Sequence, residues 1–431
     1  FVEKIEECSQ DKIADLLSNL YNSHVVRIEL DEITEAFQIF ERTNARGVDL
    51  NTADLVKNFL FSEAKALEVS TDELNDKWDA IVSNASSNIQ RMLKYFYVSK
   101  EGNCAKKDLF RKLKKYAGYV GVSRFVNELE EFSSIYSLVV NPRPADLLDW
   151  ATENAVSYFR KEYASQQLDR NLTALKLFKI SSASPLIVKL MSFLAVESDE
   201  ALQKKMCQKF EKLMDAIEKL LFANYGICSR PGNQIEPFFI SKAEEATPEN
   251  FLKHVDKVIK ELKEDKLVKS EEFKENFLDL SYNSTKTYVY YIFDRLNNCI
   301  PKKKKLKGGQ YVELYQPDDR ITVRNYDIEH LFPQDDSKYP LDFGGIKDAI
   351  HSIGNLLVIA KHTNGTMQSD MLPEKIEYMR AMELKLREVT KLCDEWGDVD
   401  VNSLSIEEVA DMINQRTKSL AIRAYEFATS F

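Results

Sequence analysis

Glycine and proline are scarce, 13 and 11 in 431 residues, well under the roughly 12% the two reach together in an average protein. So few breaks favour long uninterrupted helices and argue against an all-β sandwich or a fold rich in βαβ units. The six cysteines, Cys8, Cys104, Cys207, Cys228, Cys299 and Cys393, include no CxxC or CxxH pair. A structural zinc site and a disulfide framework are therefore disfavoured, and a reducing cytoplasm is the expected location. No apolar run approaches the roughly 20 residues that span a bilayer and no signal peptide opens the chain, so no membrane partner is expected. Positive charge is in deficit as well: 59 Lys and Arg stand against 69 Asp and Glu, a net charge of −10. That excludes a uniformly basic protein that coats nucleic acid, but not a local site on DNA, where charge distribution or a bound cation decides contact. The chain starts on Phe1 rather than methionine and runs at once into a helical pattern, so an upstream portion is expected to be missing.

Hydrophobic residues make up 44% of the chain and charged residues 30%, the balance of a globular protein with a sizeable core. At roughly 150 residues per domain, two or three domains are expected. Ile13, Leu16, Leu17 and Leu20 are spaced as one face of a short helix, and residues 25–30 alternate as a strand. A further helix is predicted over 35–42, then a polar break over 43–47, then a helix over 53–66 capped by Thr52. From about 72 to 285 the pattern is helix after helix. Three stripes read as core faces: Leu74, Trp78, Ile81 and Val82; Phe125, Leu129, Phe132, Ile135 and Tyr136; Leu213, Ile217, Leu220 and Leu221. Ser184-Pro185 and Arg230-Pro231-Gly232 read as turns.

The last part changes character. A helical stretch over 288–296 leads into a lysine-rich segment, 301–309, that reads as an exposed basic loop. Two strand-like runs, 328–332 and 355–359, and a helix over 373–389 follow. The strands carry Tyr326-Asp327-Ile328-Glu329-His330-Leu331-Phe332-Pro333-Gln334 and Ile353-Gly354-Asn355-Leu356, with Asn364 nine positions beyond Asn355. Strand alternation sends Glu329 and His330 to opposite faces unless the strand ends there, and Pro333 makes such an end plausible. A carboxylate and an amide oxygen are hard ligands suited to Mg²⁺ or Mn²⁺, and an imidazole takes a proton from water near neutral pH. Together they form a set suited to hydrolysing a phosphodiester. A Glu-His pair alone says little, but three of the five histidines, His330, His351 and His362, fall in this stretch.

These residues resemble the HNH, or ββα-metal, nuclease motif in the form found in the GmrSD-type restriction endonuclease family, which joins domains of unknown function 262 and 1524. The Glu-His-x-x-Pro-Gln and Gly-Asn-Leu segments are similar to the second module, and their spacing resembles the HNH domain of RNA-guided CRISPR nucleases. Residues 36–50, with Arg42, Asn44, Arg46 and Gly47, followed by Asp54 to Asn58, resemble the end of the first, ParB-like module. The upstream Asp-Gly-Gln-Gln-Arg type signature of that module has no counterpart here.

The resemblance implies a mainly α protein: residues 1–66 a remnant of the ParB-like sensing or nucleotide module, 67–284 a helical middle domain, and 285–431 a small ββα-metal nuclease domain. The implied function is a metal-dependent DNA endonuclease or nickase of a prokaryotic restriction or anti-phage system, acting on DNA and sensing modified phage DNA. His330 would activate water, with Asn355 orienting it or bracing the loop. Glu329 and Asn364 would hold Mg²⁺ or Mn²⁺. Lys375, Lys303 and Lys304 would contact DNA phosphates, although each is also readable as a solvated lysine. Arg42, Asn44, Arg46 and Gly47 would form a nucleotide or sensing site, with an NTP as ligand in the complete protein; the other reading is a plain helix-to-helix turn. The alternative function is a non-catalytic DNA-binding or NTP-hydrolysing regulatory subunit. Oligomeric state is not legible.

Overall fold

The architecture is seen in a computed structural model that describes residues 10–24, 51–63, 70–86, 88–179, 181–298, 304–305, 311–312, 326–334, 341–361, 367, 370–382 and 386–430. The expected strand over 25–30, helix over 35–42 and break over 43–47 lie outside them. The chain divides into two compact units, Phe1–Asp76 and Lys77–Phe431.

The first unit contains α1 (Gln10–Tyr21) and α2 (Thr52–Ser62). Helix α1 forms as its spacing predicts, but Leu16, Leu17 and Leu20 are 51%, 51% and 65% exposed. The cap of α2 differs from the expectation. Asn51, not Thr52, accepts from the Ala53 and Asp54 amides at 2.8 and 3.1 Å, because Asn51 is the residue just outside the first turn, where a side-chain oxygen reaches those amides. Helix α3 (Thr71–Asn84) buries Leu74, Trp78 and Ile81, whereas Val82 is exposed and stands off the core stripe.

The second unit is built on helices α4 (Ile89–Glu101), α5 (Leu109–Val120), α6 (Val122–Val140), α7 (Pro144–Glu153), α8 (Glu162–Leu177), α9 (Ser184–Val196) and α10 (Glu200–Leu221). Then come α11 (Glu236–Glu245), α12 (Phe251–Glu261), α13 (Ser270–Phe277) and α14 (Tyr282–Asn298). The Phe125-to-Tyr136 stripe of α6 and the Leu213-to-Leu221 stripe of α10 are both buried. Ser184-Pro185 opens α9 instead of making a free turn, since proline's fixed φ and missing N–H suit the first helical turn.

The two-residue strands β1 (Lys304–Lys305) and β2 (Tyr311–Val312) pair antiparallel, a ladder where an exposed loop was expected. Strands β3 (Tyr326–His330) and β4 (Leu356–Ala360) pair antiparallel with His330 opposite Leu356 and Glu329 opposite Leu357. Between them lies α15 (Lys347–His351), and after them α16 (Leu372–Ala381), α17 (Arg387–Trp396) and α18 (Ile406–Thr429). The single helix expected over 373–389 is thus two, because the backbone turns extended at Met382. Helix α14 bends at Thr285, which has non-helical dihedrals, and packs on β4, α17 and α18. No helix among the described residues is long and apolar enough to cross a membrane.

Helix α18 fixes the turn that leads into β4. Arg416 donates to the carbonyls of Gly354 and Leu356 at 2.5 and 2.9 Å, and Thr417 shares a 2.9 Å bond with Ser352. A Cβ at Gly354 would collide with the Ile413 carbonyl and the Thr417 hydroxyl. Gly354→Ala should therefore cost on the order of 3 kcal/mol through overpacking, seen as a lowered calorimetric midpoint. An unchanged midpoint would mean that α18 does not press on this turn.

Candidate functional site

Strand β3 ends at His330, and the two neighbours Glu329 and His330 are 6% and 8% exposed. Alternation along the strand sends them to different partners. The Glu329 carboxylate meets the ammonium of Lys375 on α16, which also donates to the His330 carbonyl at 2.7 Å. Lys375 is 1% exposed. The burial of Glu329 raises its pKa and Lys375 opposes that rise. Lys375 was expected at a DNA phosphate; the structure instead commits its charge inward, because leaving a buried carboxylate without a counter-charge is costly.

The His330 ring lies among aromatic and imidazole groups. The Tyr282 ring, at the start of α14, stands edge-on to it at 4.8 Å, and the His351 ring, at the end of α15, at 5.7 Å. Tyr282 also stacks on His351 at 6.5 Å, and the Lys286 ammonium sits 4.7 Å from the Tyr282 ring centre. Nε2 of Gln334 lies 3.3 Å from Nε2 and 3.4 Å from Nδ1 of His330. Burial, then the nearby His351, Lys375 and Lys286, depress the His330 pKa to about 4. The ring is therefore neutral at pH 7 and able to accept a proton. Nδ1 of His351 is buried and has no hydrogen-bond partner among the described residues.

Asn355 is wholly buried and serves the backbone. Its Nδ2 donates to the carbonyls of Phe332 and Ile350, each at 2.8 Å, and its Oδ1 accepts from the Phe332 amide at 2.9 Å. With all three bonds spent on the chain after β3 and on α15, its amide braces the loop, and none of them orients the His330 ring. Its two expected roles were to orient the base or to brace the loop, and these bonds run to the loop backbone. Phe332, held this way, packs against Phe343 and Trp396.

Asn364, Lys303, Arg42, Asn44, Arg46 and Gly47 lie outside the described residues, and of Lys304 only the backbone, in β1, is described. Among the described residues no three His, Cys, Asp or Glu side chains gather to hold a metal ion. Of the two expected ligands only Glu329 is described; one carboxylate can serve Mg²⁺ or Mn²⁺, which keep several waters, but here it is engaged by Lys375. Sequence reasoning gave no role to His351, Tyr282 or Lys286. The clustering of histidines was a signal for the first, whereas Tyr282 and Lys286 come from a helix more than forty residues upstream of His330.

Two antiparallel strands and a following helix thus set a buried histidine at a strand end on a helical scaffold. Residues 267–406 match the family model described as GmrSD restriction endonucleases, C-terminal domain. The match covers about a third of the chain, and over that stretch the chain is similar to the restriction-endonuclease domain. The matched stretch takes in β3, β4, His330, Asn355 and Lys375 and stops where α18 begins. No curated protein matches the chain.

Lys375→Met should leave the Glu329 carboxylate buried and unpaired, at a cost of about 3–5 kcal/mol, read as a lower urea midpoint. Lys375→Met with Glu329→Gln should recover most of that loss. If the double variant were no more stable than the single one, the pair would not be the source of the cost.

Proposed function

We propose that this protein is a metal-dependent DNA endonuclease or nickase of the HNH type, working in prokaryotic restriction of invading DNA. The observation that carries the reading is the neutral, nearly buried His330 at the end of β3, inside the segment that matches the restriction-endonuclease domain. His330 takes a proton from water as the water oxygen attacks phosphorus and the ester oxygen on the opposite side leaves. Tyr282 and His351 hold the imidazole edge-on and exclude solvent behind it, and Asn355 keeps the loop after His330 in place. Glu329, with Asn364, would hold Mg²⁺ or Mn²⁺, which supplies stabilisation of the charge that develops on the phosphate. Lys375 holds Glu329 and the His330 carbonyl in register. Sensing of modified DNA and any NTP dependence would belong to the segment around Arg42, Asn44, Arg46 and Gly47.

One observation favours the second reading, a non-catalytic DNA-binding subunit. The carboxylate needed for a metal is already engaged by Lys375. Incubating supercoiled plasmid with the purified protein separates the two. Cutting or nicking with Mg²⁺ or Mn²⁺, lost in EDTA, is the expected result; intact plasmid at every metal concentration favours the second reading.

His330→Ala should lower the cleavage rate by about 10² to 10⁴, the usual worth of a general base, with the melting temperature retained. Glu329→Gln should raise the metal concentration needed for half-maximal cleavage more than it weakens DNA binding, because phosphate contacts lie elsewhere. Plasmid cutting at the wild-type rate by the His330 variant would remove that residue from the chemistry.

A further inference from the structure

Helix α5 carries a charge pattern at odds with the acidic chain. Between positions 106 and 124 the sequence holds seven Lys and Arg residues and one acid, Asp108, in a protein of net charge −10. Helix α5 itself contains neither Asp nor Glu. Its buried side is Leu109, Leu113, Tyr116 and Ala117, packed toward α4 and α6. Directly opposite, at helical spacing, lie Arg111, Lys114, Lys115 and Gly118, all exposed, and Lys107 extends the same row one turn upstream. Arg111 and Lys115 on α5 lie roughly 6 Å apart along the axis, and Lys107 stands in the 3-10 turn that leads into the helix.

The nearby carboxylates leave Lys107 and Lys115 of this row without an ion pair among the described residues. Glu128 of α6 is taken by the Tyr116 hydroxyl at 2.6 Å, Arg124 at 2.8 Å and Lys100 at 3.0 Å. Asp108 meets Arg111 at 2.9 Å in an exposed pair, which water and salt weaken.

Gly118 adds an independent observation. Glycine weakens a helix relative to alanine, yet a Cβ built at Gly118 meets nothing within 4 Å. No neighbour among the described residues requires glycine there, and the bare face leaves room for another backbone to lie close. Beside it Tyr119 is 86% exposed, and a phenol is among the groups that bond phosphate oxygens.

We propose that this face of α5 holds the sugar–phosphate backbone of duplex DNA, as a surface distinct from the residues around His330. The choice of DNA as partner rests on the endonuclease reading above; the charge and the missing side chain at Gly118 do not. A regularly charged, unbranched row fits the evenly spaced phosphates of a duplex and reads no sequence.

The test is the anisotropy of a fluorescein-labelled 30-base-pair duplex titrated with the full chain in EDTA over a range of salt concentrations. Lys107→Gln, Arg111→Gln and Lys115→Gln combined should weaken binding at least about tenfold near 0.1 M salt. The slope of log affinity against log salt should shrink by roughly 2 to 3, about 0.9 for each lost phosphate contact. Gly118→Ala should raise the melting temperature while weakening binding. Wild-type affinity and salt slope in the triple variant would overturn the proposal, as would the absence of any duplex binding by the wild type. Equally tight binding of poly-L-glutamate would overturn it in favour of an acidic protein partner. Binding is measured without metal, so a protein that binds through α5 and never cuts sinks the endonuclease reading alone.

Discussion

A buried set of four charges ties the helical body to the strands that carry the site. Arg170 on α8 donates to Asp294 at 2.9 Å, and Arg295 donates to both Asp294 and Glu218 at 2.5 Å. Glu218 is further bonded by the Tyr291 hydroxyl at 2.8 Å and the Asn171 amide at 2.6 Å. Each of the four charged groups is almost wholly buried. Asp294 and Arg295 belong to α14, so the network sets both the rotation and the height of that helix against α8 and α10. Replacing such a set by apolar residues can be neutral for stability, but removing one member is costly because it strands its partner's charge. The first turn of α14 delivers Tyr282 to the His330 ring. A helix slipped by one residue would rotate about 100° and carry Tyr282 away from it. Charge pairing thus fixes the helix beyond the bend, and the backbone at Thr285 sets the turn that carries Tyr282.

A second constraint comes from beyond the matched segment. Arg416 on α18 gives Nη1 to the carbonyls on either side of Asn355, lies 5.6 Å from the Trp396 ring, and has its pKa pulled down to about 10, mainly by burial. The two carbonyls it holds flank the residue whose amide braces the loop after His330. Gly354 lets α18 come this close, and Ser352 and Thr417 close the contact. The matched domain therefore completes its second strand with a helix that starts only where the match ends.

The sequence made the local facts legible and left the tertiary ones hidden. Glu329, His330 and Asn355 could be found because they are adjacent to turn and strand signals that short-range chemistry explains. The core stripes of α6 and α10 could be found because helical periodicity records which face is buried. For Lys375 the position was legible but the partner was not: a lysine in the first turn of a helix looks solvated or outward-facing until the fold brings it 46 positions back against Glu329. Val82 failed for a related reason, since it sits beside a true stripe and periodicity alone does not say how wide the covered face is. Ser184-Pro185 was ambiguous because the same pair that breaks a chain also starts a helix. Asn51 and Thr52 are both capping residues, and only the geometry decides between them.

For an acidic chain to act on DNA, as proposed, charge placement matters more than charge total. At physiological salt, fields decay over roughly 8 Å, so the net charge of −10 says little about any one surface. Buried carboxylates count for less still. Glu218, Asp294 and Glu329 are each neutralised by an arginine or lysine within the fold and project little field outward. What a phosphate meets is decided by the exposed charges within one screening length of its path. A helix without acids, whose nearest carboxylate is already bonded to three groups, is locally basic whatever the rest of the chain carries. His330 is a different case, held neutral first by its burial and then by the nearby His351, Lys375 and Lys286. Net charge and site charge are thus set by separate residues, and function follows the second.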